Sequence, residues 1–559
     1  MSSTPKIGII IGEVNTSEFY FATNEDINRL EYIVINSREL INIAGIMQEA
    51  SVDIIAQIFQ VFADSRALVN DLKMEDAEKI ISAGLADARY FAKARVLGYL
   101  RNGNVYQPRR AIRPGNPVYL APNNLLAEFY SYPEEEGLYI GHLITRSDVP
   151  VYISIIGFQR HASILAQTGG GKSYLGGVIV EELYKKGATI VIIDPHADYV
   201  LLRNRLEDEI RESEEQEGNE NEENLEGGEQ YNEIGQDEFE IINRMEIFQT
   251  PNSTGRYTDA DVGREIRQYS IRFADLDAFE IFNICGIPER FNRIREAIET
   301  ALNNLDSATG YNLEDLINEL TNANTNDSRN ALRYVRRMGR LQIFADTTTP
   351  ICDIIRPKHI SVIDLSGIPD YVADYIASRV LNEIYDQRRN EEYSFPVFLI
   401  IEEAHRFLPN IPGRRGGRYS IDIVKEIAAE GRKFGVFQIL ITQRPYKLDQ
   451  DALSQCNSQM ILKITNAEDQ TAIKTSSEKL SKNLLDDLPG LNIGEAIIVG
   501  NLTRAPVMVK VRRRHTQEGG ADLDLLGMLS EAREYVGNEE QRREEELRQD
   551  LEDARGMLE

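Results

Sequence analysis

The residues best equipped for chemistry lie in the stretch "ILAQTGGGKSYLGGVIV", Ile164 to Val180. An apolar, strand-like run ends at Leu165 and a helix-like run starts near Lys172, with the small residues Thr168, Gly169, Gly170 and Gly171 between them. Such a turn can aim successive backbone N–H groups at an anion, and the positive end of the following helix faces the same point. Lys172 is then placed to reach the β- and γ-phosphates of a nucleotide, and the Ser173 hydroxyl to ligate Mg²⁺. Tyr174, in the first helical turn, completes the expected nucleotide-binding set. The pattern G-x-x-x-x-G-K-[ST] has glycine at its first position where this chain has Ala166. That position needs only a small residue, and alanine fits if its φ stays negative.

Further along, "VFLIIEEAHRF" ends a buried-type strand with Glu402 and Glu403. Alone, an acidic pair after a strand is weak evidence. Behind a phosphate loop it reads as the Walker B pair, Glu402 holding the Mg²⁺ through water and Glu403 polarising the attacking water. "FQILITQRP" ends another strand at Thr442, Gln443 and Arg444, and Gln443 could sense the γ-phosphate. "EGRKFGVF" supplies Arg432 and Lys433, and "GFQRHASI" supplies Arg160. In a ring-forming ATPase, a cation at such a place projects into the neighbour's site; a surface cation is the plainer alternative for each. Two basic clusters are candidates for nucleic-acid backbone contact: the loop "PNIPGRRGGRYS" with Arg414, Arg415 and Arg418, and the segment "SRNALRYVRRMGR" with Arg329, Arg333, Arg336, Arg337 and Arg340. A solvated surface or a subunit contact would also account for either. His196 and His405 are the histidines near these motifs; either could hydrogen-bond a site residue, and a structural role is expected for both.

These groups must be positioned by two kinds of element. Residues 1–150 carry short β-like runs separated by Asn, Gly and Pro, from "KIGIIIGEV" to "GLYIGHL", which predicts a small β-barrel with one helical interruption over 52–88. From 151 to 515 buried-type strands alternate with helices or polar loops, the pattern of a mostly parallel sheet covered on both faces. Helical periodicity over about 270–345 predicts an inserted helical subdomain, and residues 516–559 read as a charged helical tail.

The formal net charge is −28, but it is unevenly spread. Residues 207–240 hold sixteen acids and one base, and residues 516–559 hold fourteen acids and five bases. The first segment lacks periodicity and reads as a disordered insert. Removing both leaves a nearly neutral body, so the acidity does not exclude DNA as a partner. No apolar run is long enough to cross a bilayer and no leader-like pattern opens the chain, which predicts a cytoplasmic protein with no membrane partner. The three cysteines show no metal or disulfide spacing and are expected to be buried or half-buried thiols.

The ordered set "QRHASILAQTGGGKS", "IVIIDPHADY", "VIDLSGIP", "IIEEAHRFLP", "EGRKFGVFQILITQRP" and "GEAIIVGNLTRAPVMVKV" resembles the HerA family of hexameric DNA-translocating ATPases, within the HerA–FtsK group. The resemblance spans nearly the whole chain outside the acidic insert. It implies a RecA-like P-loop ATPase core preceded by a HAS-barrel-like domain, ATP and Mg²⁺ as cofactors, a six-membered ring around double-stranded DNA, and a partner nuclease of the NurA type serving DNA end resection. It carries roles onto Lys172, Ser173, Glu402, Glu403, Gln443 and Arg432, and matches Asp194 to an acidic position near the metal and water. The family usually reads Gly-Glu where this chain has Ala197-Asp198, which leaves the role of Asp198 open. Three alternatives remain at this level: a coupling ATPase of the conjugation type, the motor of an anti-phage complex with another effector, and a nucleotide-binding scaffold that hydrolyses little.

Overall fold

Seven strands build the N-terminal part: β1 (Lys6–Ile11), β2 (Glu18–Thr23), β3 (Tyr32–Ile43), β4 (Ile46–Ser65), β5 (Ala88–Arg101), β6 (Asn104–Tyr106) and β7 (Pro117–Leu120). In the computed structural model they pair in the order β2-β1-β7-β3-β4-β5-β6, and an added β2–β5 ladder closes six of them into a barrel. Alternation sends Ile10, Phe19, Phe21, Ile33, Ile35, Ile54 and Ile58 into one shared core. The structure describes residues 5–43, 46–86, 88–206, 240–305, 310–410, 419–477, 479–520, 525–536 and 543.

The helix expected over 52–88 is corrected. β4 continues to Ser65, and the one helix among the described residues of the interval is Met74–Ser82, which buries no residue. The run "VDIIAQIFQVF" is rich in β-branched and aromatic residues, and its long antiparallel ladder with β5 gives them cross-strand partners. Non-local pairing decides between two periods that the segment fits almost equally well.

The second sheet contains β8 (Gly137–Leu143), β9 (Arg146–Ser154), β10 (Ala162–Leu165), β11 (Thr189–Asp194), β12 (Met245–Gln249), β13 (Arg267–Gln268), β16 (Ile360–Asp364), β17 (Val397–Ile401), β18 (Val436–Thr442), β19 (Ser458–Ile461), β20 (Glu495–Val499) and β21 (Val507–Val511). Its order is β13-β12-β16-β11-β17-β18-β10-β19-β20-β21-β8-β9. The ladders from β13 through β19 are parallel, and those from β19 to β9 antiparallel. Residue 150 therefore falls inside β9, and "GLYIGHL" is a strand of this sheet, held by β21 (Val509↔Leu143), and not of the barrel. The short strands β14 (Ile271–Arg272) and β15 (Phe344–Ala345) pair with each other. They bracket four helices, Ala278–Ile284, Asn292–Asn304, Leu313–Ala323 and Asn326–Met338, which form a helical insertion. The fold is thus α/β: a RecA-like P-loop core with a helical insertion, preceded by a small barrel.

The helix Lys172–Lys185 is buried along most of its length. Arg512 pairs with Glu181 (2.8 Å) and Glu182 (2.9 Å) on it, all three out of solvent. The fully buried Arg514 crosses the same helix at Gly177, where its guanidinium fills the space a Cβ would need. Chain 512–516 thus straps the helix that follows the Gly-rich loop.

Residues 520–559 form a separate unit, in which 525–536 are helical. The rest of the expected helical tail and nearly all of the acidic insert (207–239) lie outside the described residues. Cys285 and Cys456 are buried, but Cys352 is exposed, because it sits on the solvent side of the short helix Ile351–Ile354. No helix among the described residues is long and apolar enough to cross a membrane.

Candidate nucleotide site

Parallel strands deliver their carboxyl ends to one edge of the sheet, and four of them meet there. β10 stands between β18 and β19, in register from Ala162 to Leu165. Its end runs into the Gly-rich loop, where Gly169 (φ 73°) and Gly171 (φ 88°) occupy left-handed backbone that other residues resist. The buried Ala166 keeps an ordinary φ, so the position of the missing glycine asks for smallness alone.

Beyond the loop, Lys172 reaches across to β17. Its Nζ donates to Glu402 Oε1 at 2.7 Å and lies 3.2 Å from Glu403 Oε1 and 3.9 Å from Asp198 Oδ2. The Ser173 hydroxyl donates to Asp198 Oδ2 at 2.8 Å and lies 3.0 Å from Glu402 Oε1. On the next strand, Gln443 Oε1 accepts from the Thr168 hydroxyl at 2.6 Å. Lys172, Ser173, Asp198, Glu402 and Glu403, from the start of the helix and the turns that follow β11 and β17, thus form one cluster, and the Thr168–Gln443 bond ties the loop to the end of β18.

The two glutamates are tuned apart. Burial pushes Glu402 up to about 7, opposed by the charge of Lys172. Burial also acts on Glu403, but His405 and Lys172 outweigh it and bring the carboxyl down to about 2. Lys172 is likewise desolvated, yet Glu402 and then Glu403 raise it above its usual range, so it stays charged. Glu403 has φ 49°, an uncommon backbone for a non-glycine residue. That local turn lets two adjacent glutamates present their carboxyls to one ammonium.

His405 Nδ1 stands 3.2 Å from Glu403 Oε2 and 3.0 Å from Thr442 Oγ1, tying the ends of β17 and β18 together. Asp194 is fully buried and accepts from the amides of His196 (3.2 Å) and Tyr199 (2.9 Å). It therefore shapes the turn that returns Asp198 to Ser173. Burial, with Asp198 and Asp364 nearby, holds Asp194 well above the usual carboxylate range. The sequence leaves Asp198 open, with the spacing Asp194-x-x-x-Asp198 as its signal; for His405, next to the acidic pair, a structural role is the expectation and hydrogen bonding to the site the alternative, and the structure shows the alternative. His196 lies at the surface, and the partial desolvation of its ring pulls the pKa down.

Other expected residues lie elsewhere. The Tyr174 hydroxyl accepts from the Arg514 amide at 2.7 Å, so its side chain serves the strap. Arg160 precedes β10 and Arg432 precedes β18 in helix Ser420–Phe434, so both sit at the amino edge of these parallel strands, opposite the loop. Both guanidinium groups are exposed. Arg414, Arg415 and Arg418 lie outside the described residues. Arg329, Arg333, Arg336, Arg337 and Arg340 are all exposed, while Ala331, Leu332, Val335 and Met338 face the core.

Could these residues hold a nucleotide and its metal? Among the described residues no three His, Cys, Asp or Glu groups gather in a metal-binding arrangement. A P-loop Mg²⁺ does not need them, since phosphates and water supply most of its ligands. What the structure offers is the Ser173 hydroxyl and Glu402, whose buried Oε2 has no hydrogen-bond partner among the described residues. The donor set fits.

The family model described as "Helicase HerA, central domain" matches residues 138–384. The chain is 30% identical over 548 residues to the probable DNA double-strand break repair helicase HerA of Methanocaldococcus jannaschii, covering 93% of this chain and 97% of that one. The probable helicase MJ1565 of the same organism is 29% identical, covering 94% of both chains. The DNA double-strand break repair helicase HerA of Pyrococcus furiosus is 27% identical, covering 95% of this chain and 98% of that protein. Coverage of 93% of the chain at 30% identity leaves one reading: the chain belongs to the HerA helicase family and is a P-loop ATPase of that family.

Proposed function

We propose that this chain is the motor subunit of a ring that uses Mg-ATP to translocate double-stranded DNA, working with a partner nuclease in DNA end resection. The observation that carries the reading is the caged ammonium of Lys172, within 4 Å of Glu402, Glu403 and Asp198 beside a Gly-rich loop. A triphosphate entering the loop offers Lys172 a stronger anionic partner, so the lysine leaves the carboxylates and Ser173 and Glu402 are freed to hold Mg²⁺. The ion, when bound, neutralises phosphate charge as it develops. Glu403, ionised at neutral pH and steadied by His405, polarises the attacking water. Gln443, resting on Thr168, reports whether the γ-phosphate is present. Asp194 acts through Asp198, by shaping its turn.

The ring is supported by the place of Arg160 and Arg432. β10 alone separates Arg160 from the loop by roughly 13 Å, so neither cation can serve its own subunit's phosphates. Each faces outward, where a neighbour's site could take it. Contact with DNA is assigned to Arg414, Arg415 and Arg418, with the exposed arginine face of helix Asn326–Met338 as a second surface. Such contacts read phosphates and not bases, which makes them salt-sensitive.

The test is ATP turnover with and without duplex DNA. Stimulation at low salt that falls steeply as salt rises is expected. Turnover indifferent to DNA at every salt concentration would end the motor reading. The nuclease is tested by co-purification from the native host, followed by assay of DNA-end degradation.

A further inference from the structure

The hydrolytic groups occupy one flank of the phosphate loop. Glu402, Glu403 and Gln443 come from β17 and β18, on the same side of β10. A triphosphate whose γ end lies there must send its nucleoside toward the other flank, where β19 and β20 stand. β20 runs antiparallel to β19, so its first residues reach the same edge of the sheet as the loop.

At that point the turn Asn492–Glu495 comes in beside the loop. A Cβ added to Gly171 would stand 3.6 Å from Leu462 Cδ2 and 3.9 Å from the Gly494 amide nitrogen. The turn is held firmly. Glu495 accepts from the Asn492 amide (2.8 Å) and from its side-chain nitrogen (3.0 Å), Lys510 Nζ donates to Ile493 O (2.9 Å), and Gly494 takes φ 77°. Ile493, at its apex, is 70% exposed. Single exposed apolar residues are common and mean little by themselves. This one is fixed on a rigid turn, next to the phosphate loop, on the side where a nucleoside has to leave it.

We infer that Ile493 on the Asn492–Glu495 turn is the platform for the nucleobase, packing its side chain against one face of the ring. The ligand class is the base of a nucleoside triphosphate. The inference rests on the phosphate-loop reading above and adds the part of the ligand that the loop does not hold. An aliphatic contact to a base face supplies affinity with little discrimination among bases, because every base has such a face.

The 559 residues contain no tryptophan, so Ile493→Trp places a single reporter at the platform. Its emission is expected to change on adding Mg-ATP and not on adding inorganic tripolyphosphate, which carries the phosphates without the base. In parallel, Ile493→Ala should weaken ATP binding roughly tenfold through lost apolar contact while tripolyphosphate binding stays the same and the melting temperature does not move. Emission unchanged by ATP, in a protein whose wild type binds ATP, would overturn the inference. So would an alanine variant that weakens both ligands equally or neither. Emission that follows protein concentration and not nucleotide would overturn it in favour of a subunit contact. Wild-type protein binding neither ligand would overturn the phosphate-loop reading itself, and the platform with it.

Discussion

Glu402 and Glu403 are neighbours in the chain and both are nearly excluded from solvent, yet one is pushed up to about 7 and the other down to about 2. The difference comes from what each faces. Glu402 meets Lys172 and Ser173 in a closed space, whereas Glu403 also has His405, brought by the left-handed turn at its own backbone. Glu403 is therefore the group that stays ionised and able to polarise water. Replacing Glu403 with Gln should lower steady-state ATP turnover by about 10²–10⁴-fold, with ATP binding retained in an equilibrium titration. Turnover within a few fold of wild type would remove Glu403 from its assigned role.

At the scale of elements, the helix after the loop is held by its strap, and two predictions belong here. Glycine to alanine inside a helix ordinarily gains about 1 kcal/mol from propensity. At Gly177 the buried Arg514 guanidinium occupies the place of the new methyl and has nowhere to go. Overpacking of this kind costs about 1–3 kcal/mol, so Gly177→Ala should be destabilising, and a raised denaturation midpoint would refute the strap. The second concerns His161, before β10, and His359, before β16. Burial lowers each to about 4. Both stay neutral in the fold, while the unfolded chain takes up protons below about 6.5. Stability should accordingly fall as pH drops from about 6.5 to 4, by about 3 kcal/mol for each histidine at the lower limit. Denaturation at pH 7 and pH 4.5 measures the decline. It should be smaller in His161→Asn, whose side chain takes up no proton in this range.

For the whole molecule, the prediction concerns whether subunits complete one another's sites. Arg432 cannot reach the phosphates of its own chain, so a catalytic role for it requires a neighbour. Mixing Glu403→Gln chains with Arg432→Ala chains, each nearly inactive alone, should restore up to roughly a quarter of wild-type turnover, because some sites then combine an intact glutamate with a neighbour's arginine. Mixtures no more active than their components would deny Arg432 that task.

Much of this site was legible in the residues themselves. The phosphate loop, the acidic pair and Gln443 each belong to a short contiguous unit, a strand with the loop that ends it, whose period and composition are local properties. Ala166 is the same kind of case: smallness is a property of the residue, and the structure needed to add only an ordinary φ. What the tertiary structure alone decided are matters of partnership across distance. The segment 52–65 became strand because β5 offered it a ladder, and "GLYIGHL" left the barrel because β21, some 370 residues later, pairs with it. Asp198 gained its place from the turn that Asp194 shapes, His405 from the approach of Thr442, and Ile493 from an antiparallel strand returning beside Gly171. Chemistry carried by consecutive residues can be read along the chain. Contacts between residues far apart in it form only when the sheet has set their distance, and those contacts decide which groups stay charged, which are spent on positioning, and which face the ligand.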